Sequence, residues 1–153
     1  QKNIHAYVFG EHGDTSFIPW SGAYVSGVSL DEYYETVEKM GRNVTKIDKD
    51  AMLEYVRTSG GQVIANKGAT FYAVSVAVCK LVATILSSSD SVATVSSMMH
   101  GEYGIEDVCL STLTLVGPKG VQGKIPMRMT KEEVEKLKAS ADALKAVIAQ
   151  IEH

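Results

Sequence analysis

The stretch Val8-Phe9-Gly10-Glu11-His12-Gly13-Asp14-Thr15, followed closely by Ile18-Pro19-Trp20, decides how the chain is read. An apolar run enters a turn in which one histidine stands between two glycines and two carboxylates. Glycine permits backbone angles and close approaches that other residues avoid. Histidine has the side-chain pKa nearest neutrality, which suits a group that gains and loses a proton during turnover. The same spacing also fits a plain turn in which Gly10 and Gly13 only reverse the chain and His12 is a surface residue. A single histidine in a turn does not separate the two readings.

Upstream of the turn, Ile4, Ala6 and Val8 alternate with His5, Tyr7 and Phe9, the period of a strand with two distinct faces. His12 is therefore expected just past the C-terminal end of a strand, where a sheet holds the backbone and a loop presents the side chain. Downstream, Ser21 to Ser26 reads as a second strand-like piece and Asp31 to about Gly41 as a helix. Asp48 is placed to cap a longer helix carrying Leu53, Val56, Val63 and Ile64. Within it, Ser59-Gly60-Gly61 are poor helix formers and suggest a kink or a close approach. Gly68 ends or bends that helix. Thr70 opens the next, where Phe71, Val74, Val78, Leu81 and Ile85 recur at intervals of three and four. The alanine and valine content of that helix predicts burial on most sides.

Ser91 to Met99 and Val108 to Val116 are rich in valine, threonine and leucine, with Gly101 and Gly104 between them. They read as an antiparallel pair, extended by a short strand near Val121 to Pro126. Thr130 and Glu133 have capping-box spacing. After them Val134, Leu137, Ala141, Leu144, Ile148 and Ile151 form one apolar stripe, which predicts a long final helix packed on the sheet. Strands and helices in separate groups, with an antiparallel pair late in the chain, indicate an α+β domain.

Composition narrows the function. The 153 residues are 45% hydrophobic and 22% charged with a formal net charge of -3, as expected of one globular domain with a real core. Lysines and acids are interspersed rather than gathered into a basic face, which argues against a nucleic-acid partner. No apolar run approaches the length of a membrane span, and no signal peptide opens the chain. Cys79 and Cys109 lack the spacing of a metal or redox pair and are expected as buried, reduced thiols of a cytosolic protein. No G-x-G-x-x-G follows a strand, so the usual dinucleotide site is not offered by these residues. Because the chain begins at Gln1 and is almost at once in a strand pattern, it is expected to be a fragment or cut domain.

Ile4 to Thr15, with Pro19-Trp20-Ser21 after it, resembles the catalytic-histidine segment of bacterial NAD-dependent L-lactate dehydrogenases. Lys67-Gly68-Ala69-Thr70-Phe71-Tyr72 resembles that family's helix start bearing a substrate-contacting threonine. Gly101-Glu102-Tyr103-Gly104 with Asp107-Val108 resembles a hairpin of its C-terminal domain, and the helix after Thr130 resembles its last helix. The resemblance covers nearly the whole chain. It implies an α+β substrate-binding domain over residues 1–153, with antiparallel strands packed against helices, a long C-terminal helix, and the NAD-binding Rossmann domain absent.

The resemblance also implies roles. His12 would be the general acid/base, taking the hydroxyl proton of L-lactate as hydride leaves for NAD and returning it in pyruvate reduction. Thr70 would line the substrate pocket, with N-capping of its helix as the alternative. Val74, one turn later, would face the nicotinamide ring or pack in the core. His5 would meet the phosphate of a fructose 1,6-bisphosphate effector across a subunit interface, or be an ordinary surface histidine. The implied enzyme is a cytoplasmic, allosteric homotetramer of glycolysis and fermentation. The orienting aspartate and the carboxylate-binding arginine of the family are expected in a D-x-x-R element upstream of Gln1. The 153 residues alone are thus expected to bind neither NAD nor pyruvate usefully. Ser59-Gly60-Gly61 departs from the bulkier residues usual there and leaves side-chain preference open. Alternatives are a lactate-like malate dehydrogenase domain and a non-catalytic assembly module. In a version of the latter, Glu11, His12 and Asp14 bind a metal, although neighbouring positions on a turn converge poorly on one ion.

Overall fold

The centre of the domain is the hairpin foreseen late in the chain. In the computed structural model, which describes residues 3–151, strand β4 (Ser91–His100) pairs antiparallel with β5 (Glu106–Gly117), from Ser91 opposite Val116 to His100 opposite Glu106. Strand β6 (Gly120–Lys124) extends this sheet on the other side of β5. Along β5, Val108, Leu110, Thr112, Thr114 and Val116 are all buried. That period of two is what a strand with one covered face requires.

The cover is helix α4 (Lys131–Ile151), whose Leu137 and Ala141 join Phe9, Phe17, Met99, Ile105, Val108, Leu110 and Leu113 in one core. The expected stripe is buried only in the first half of α4. Ile148 is 40% and Ile151 76% exposed, because the helix outruns the sheet.

Before this unit, short strands β1 (Ile4–His5), β2 (Tyr24–Val25) and β3 (Val28–Ser29) form a second antiparallel sheet. The predicted strand over residues 4–9 is cut short. The chain leaves β1 after His5 and meets the rest of the domain through single bridges, Phe9 to Phe17 and Gly10 to Ser111. Phe9 is fully buried whereas His5, on the same expected face, is exposed. The alternation is therefore a sequence pattern without a continuous ladder behind it. Ser21 to Ser26 likewise splits into a 3-10 turn, Trp20–Gly22, and the two residues of β2.

Helix α1 (Leu30–Lys39) starts in a capping box between Ser29 and Glu32. Helix α2 (Lys49–Lys67) is capped by Asp48, which accepts from the Asp50 and Ala51 amides. It runs without interruption through Ser59-Gly60-Gly61 and ends at Gly68 in the left-handed conformation. The helix is not broken there, and the close approach expected at these glycines is absent, since nothing lies within 4 Å of a Cβ at Gly60 or Gly61. Helix α3 (Tyr72–Leu86) starts after Phe71, not Thr70, and without a side-chain cap. The N-cap alternative for Thr70 is thereby overturned. So is the burial expected for α3: neither α2 nor α3 holds a buried residue. Cys79 and Cys109, expected buried, are both exposed free thiols. No helix of the described residues is long and apolar enough to cross a membrane.

The predicted capping box of α4 is present and does more than cap. Thr130 donates its amide to Glu133 Oε2 at 2.8 Å, and its hydroxyl accepts from the Glu133 amide at 3.2 Å. Glu133 also receives both the amide (3.0 Å) and the hydroxyl of Ser21, tying the N-terminal segment to α4. Burial pushes this carboxyl up, but the hydrogen bonds from Ser21 and Thr130 outweigh it and leave the pKa below the ordinary glutamate value. A folded-state pKa below the unfolded one contributes stability that is present above the unfolded value and lost as pH falls through the folded one. Glu133→Gln, which cannot accept at both positions, is expected to cost about 1–3 kcal/mol at neutral pH. The deficit relative to the native chain should shrink below the ordinary glutamate value of 4.5, as read from urea unfolding midpoints across pH.

Candidate active site

Residues 10 to 16 form a turn braced from three sides. Its ends are closed by backbone: Phe9 and Phe17 exchange amide-carbonyl bonds at 2.8 and 3.0 Å, Gly10 does the same with Ser111, and the Ser16 amide reaches the Gly13 carbonyl at 3.2 Å. Its middle is held by Ser140, a fully buried residue of α4. The Ser140 hydroxyl accepts from the Glu11 amide at 2.8 Å and lies 3.0 Å from the Thr15 hydroxyl, to which its own proton can be donated. The Glu11 carboxylate in turn accepts from both the amide (3.0 Å) and the hydroxyl (2.8 Å) of Thr15. From the far side, Arg57 of α2 directs Nε (3.0 Å) and Nη2 at the carbonyl of Ser16.

This network explains the glycines. Gly10 has φ +99°, and a Cβ there would sit 2.7 Å from Ser140 Oγ. A Cβ on Gly13 would sit 2.6 Å from the Glu11 carboxylate. A side chain at Gly10 would combine a left-handed backbone with the buried Ser140, whereas one at Gly13 would displace the Glu11 carboxylate from its bonds to Thr15. Glu11 is consequently a bracing group. Its Oε1 takes both Thr15 bonds, and no group of three or more His, Cys, Asp or Glu side chains converges among the described residues.

His12 is exposed, and none of the hydrogen bonds that brace the turn uses its imidazole. The backbone is fixed and the side chain is left available, which is what a proton-transfer group presented to a ligand needs. Thr70 lies beyond the left-handed Gly68 in the corner between α2 and α3 and is exposed. Val74, in the first turn of α3, is 55% exposed rather than in the core. Phe71 and Tyr72 flank the corner, their rings 4.7 Å apart, with the Lys67 ammonium 3.8 and 3.5 Å from the two centroids. No hydrogen bond of the described residues joins His12 to Thr70. They are connected through α2, whose Arg57 grips the turn of one and whose end delivers the other. His5, paired opposite Tyr24 in β1, is exposed and makes no hydrogen bond to the turn among the described residues.

Ser140 and Arg57 have no counterpart in the sequence reading. Ser140 sits on the polar side of the α4 stripe, and its only sequence signal is a small residue one position before Ala141. Arg57 looks like one more surface charge on an amphipathic helix.

An α+β domain that presents a histidine on a braced, glycine-flanked turn, linked through a helix to a threonine-bearing corner, is the class defined by this fold and site. The chain matches the lactate/malate dehydrogenase, alpha/beta C-terminal domain family over residues 1–153 and belongs to it. It is 37% identical to an L-lactate dehydrogenase of Acetivibrio thermocellus over 99% of this chain and 47% of that one. The structure is similar to an L-lactate dehydrogenase from Clostridium thermocellum (TM-score 0.81, 35% identity, 99% of this chain and 48% of that one). It is also similar to a malate dehydrogenase from Archaeoglobus fulgidus in complex with NADH (TM-score 0.81, 28% identity, 99% and 45%). The chain spans about half the length of the curated relatives it matches.

Gly10→Ala places a left-handed φ and a clash with Ser140 on one residue and is expected to cost about 1–3 kcal/mol. Adding Ser140→Ala removes the clash but not the backbone strain. The denaturant midpoints of a double-mutant cycle should therefore show the two changes costing less together than their sum; strict additivity would show that Ser140 does not close the turn.

Proposed function

We propose that this domain is the substrate side of an NAD-dependent L-lactate dehydrogenase, with His12 as the proton donor and acceptor. The observation that carries the reading is the split within residues 10 to 16. The backbone and Glu11 Oε1 are engaged by Ser140, Thr15 and Arg57, while the His12 imidazole is left out of the network and exposed. In lactate oxidation a neutral imidazole takes the hydroxyl proton. In pyruvate reduction an imidazolium polarises the carbonyl and returns the proton to oxygen. Thr70, exposed at the α2–α3 corner, is the second substrate-side group.

The residues present fit NAD on one side only. Val74, more than half exposed at the start of an apolar helix, suits the face of a nicotinamide ring. No glycine-rich turn between strand and helix offers a phosphate cradle among the described residues. Bound nicotinamide would accept or return the hydride at the substrate carbon. What falls to this domain is to hold that carbon against His12 and Val74 and to move the proton.

The lactate reading is supported by the 37% identical L-lactate dehydrogenase of Acetivibrio thermocellus. The similarity to the Archaeoglobus fulgidus malate dehydrogenase keeps malate as the second substrate to compare. We further propose a cytoplasmic homotetramer. Helix α3 leaves Val74, Val76, Val78, Val82 and Leu86 all exposed, and exposed apolar side chains of this kind suit an interface.

In the complete enzyme, His12→Asn is expected to lower kcat for pyruvate reduction by about 10²–10⁴-fold, the usual contribution of a positioned acid/base. Activity within a few-fold of the unaltered enzyme would remove His12 from the chemistry. Oxaloacetate turned over faster than pyruvate would select the malate alternative. For the effector role, His5→Ala is expected to weaken activation by fructose 1,6-bisphosphate in steady-state assays; unchanged activation would make His5 an ordinary surface residue.

A further inference from the structure

Helix α2 is held in an unusual way. None of its 19 residues is buried, and the only hydrogen bonds of the described residues that leave it for another element are the two donated by Arg57 to the Ser16 carbonyl. Its other attachment is at the first turn, where Lys49 lies 3.6 Å from Asp31 and 5.8 Å from the Trp20 ring centroid. Those contacts are exposed to solvent and correspondingly weak. At the far end, about 15 Å of helix beyond Arg57, Gly68 turns the chain into the corner that carries Thr70.

Ser16 is not an arbitrary acceptor. It is buried, its amide closes the His12 turn onto Gly13, and its neighbour Phe17 is bridged to Phe9 in the core. The carbonyl gripped by Arg57 therefore belongs to a fixed point of the turn. A guanidinium that directs both Nε and Nη2 at one carbonyl constrains orientation as well as distance, which a lysine ammonium cannot reproduce.

We infer that Arg57 is a positioning residue for the proton transfer: it sets the substrate-side corner at Thr70 against the His12 turn by locking α2 to the Ser16 carbonyl. It touches neither substrate nor cofactor. Its effect passes through the two groups it holds in register, and misplacing reacting groups by an ångström is enough to cost about a hundredfold in rate. The inference rests on the dehydrogenase reading for its kinetic test, and a second measurement is independent of that reading.

In the complete enzyme, Arg57→Gln is expected to lower kcat for pyruvate about 10–100-fold while KM for NADH stays within about twofold, a split that general loss of fold would not give. Arg57→Lys should fall between Gln and the native residue, and added guanidinium should restore part of the kcat of Arg57→Ala. Should the Gln variant fail to fold, the Lys variant and the guanidinium titration decide the same question. Pyruvate kcat and KM within about twofold of the unaltered enzyme in Arg57→Lys and Arg57→Ala would overturn the inference. Independently of activity, amide exchange should accelerate in Arg57→Ala at residues 11–16 and at 68–71 together. Acceleration in only one segment, or in neither, overturns the coupling. If the unaltered enzyme does not turn over pyruvate at all, the dehydrogenase reading fails, and the exchange result alone decides the role of Arg57.

Discussion

The hydroxyl of Ser140 is the interaction on which the site depends. Buried in the middle of α4, it accepts the Glu11 amide, pairs with the Thr15 hydroxyl and presses against the place where a Gly10 side chain would be. An unpaired hydroxyl at that depth would be costly, and so would an unpaired amide on the turn. Each satisfies the other only if α4 seats fully on the sheet. Packing of the hydrophobic core and placement of the histidine turn are therefore one event, because Leu137 and Ala141 on either side of Ser140 are core residues.

The same helix fixes the chain at two further heights. Glu133, one turn from its start, collects Ser21 and Thr130. The tip of the β4–β5 hairpin is held by Tyr103, whose hydroxyl donates to the Met127 carbonyl at 3.1 Å and accepts the Met127 amide at 2.7 Å just before α4 begins. Burial raises the pKa of this phenol despite the opposing hydrogen bond with Met127, so the neutral form that can both donate and accept is favoured. Neutral Tyr103 and charged Glu133 fasten the ends of the loop 125–130 with different chemistry. Together they aim α4 so that Ser140 arrives under Gly10.

The elements that position this scaffold were readable because each obeys a local rule. β4 and β5 follow period two, α4 follows its apolar stripe and capping box, and α2 begins at an aspartate cap. The misreadings share a cause. Residues 4–9 alternate, yet only Ile4 and His5 have a strand to pair with, since a ladder needs a partner that the local pattern does not contain. The apolar character of α3 was read as burial, whereas it reports only that the helix is suited to being covered. The turn at His12 was visible as a turn. The partners that brace it, Ser140 and Arg57, lie 128 and 45 positions away in the chain, and no local periodicity connects them to it.

The exposure of α3 and the isolation of His12 have one physical reading. A helix with Val74, Val76, Val78, Val82, Ile85 and Leu86 open to water gains little by folding there unless something covers it, and a helix such as α2 without a buried residue gains less still. Stability in this domain is therefore unevenly distributed. The hairpin, α4 and the His12 turn are bound into a core, α3 lies against β5 without burying a residue, and α2 is held chiefly by Arg57. Under the dehydrogenase reading that division is useful. The proposed acid/base group, His12, sits on the half bound into the core, and Thr70 and Val74 sit on the half with no buried residue.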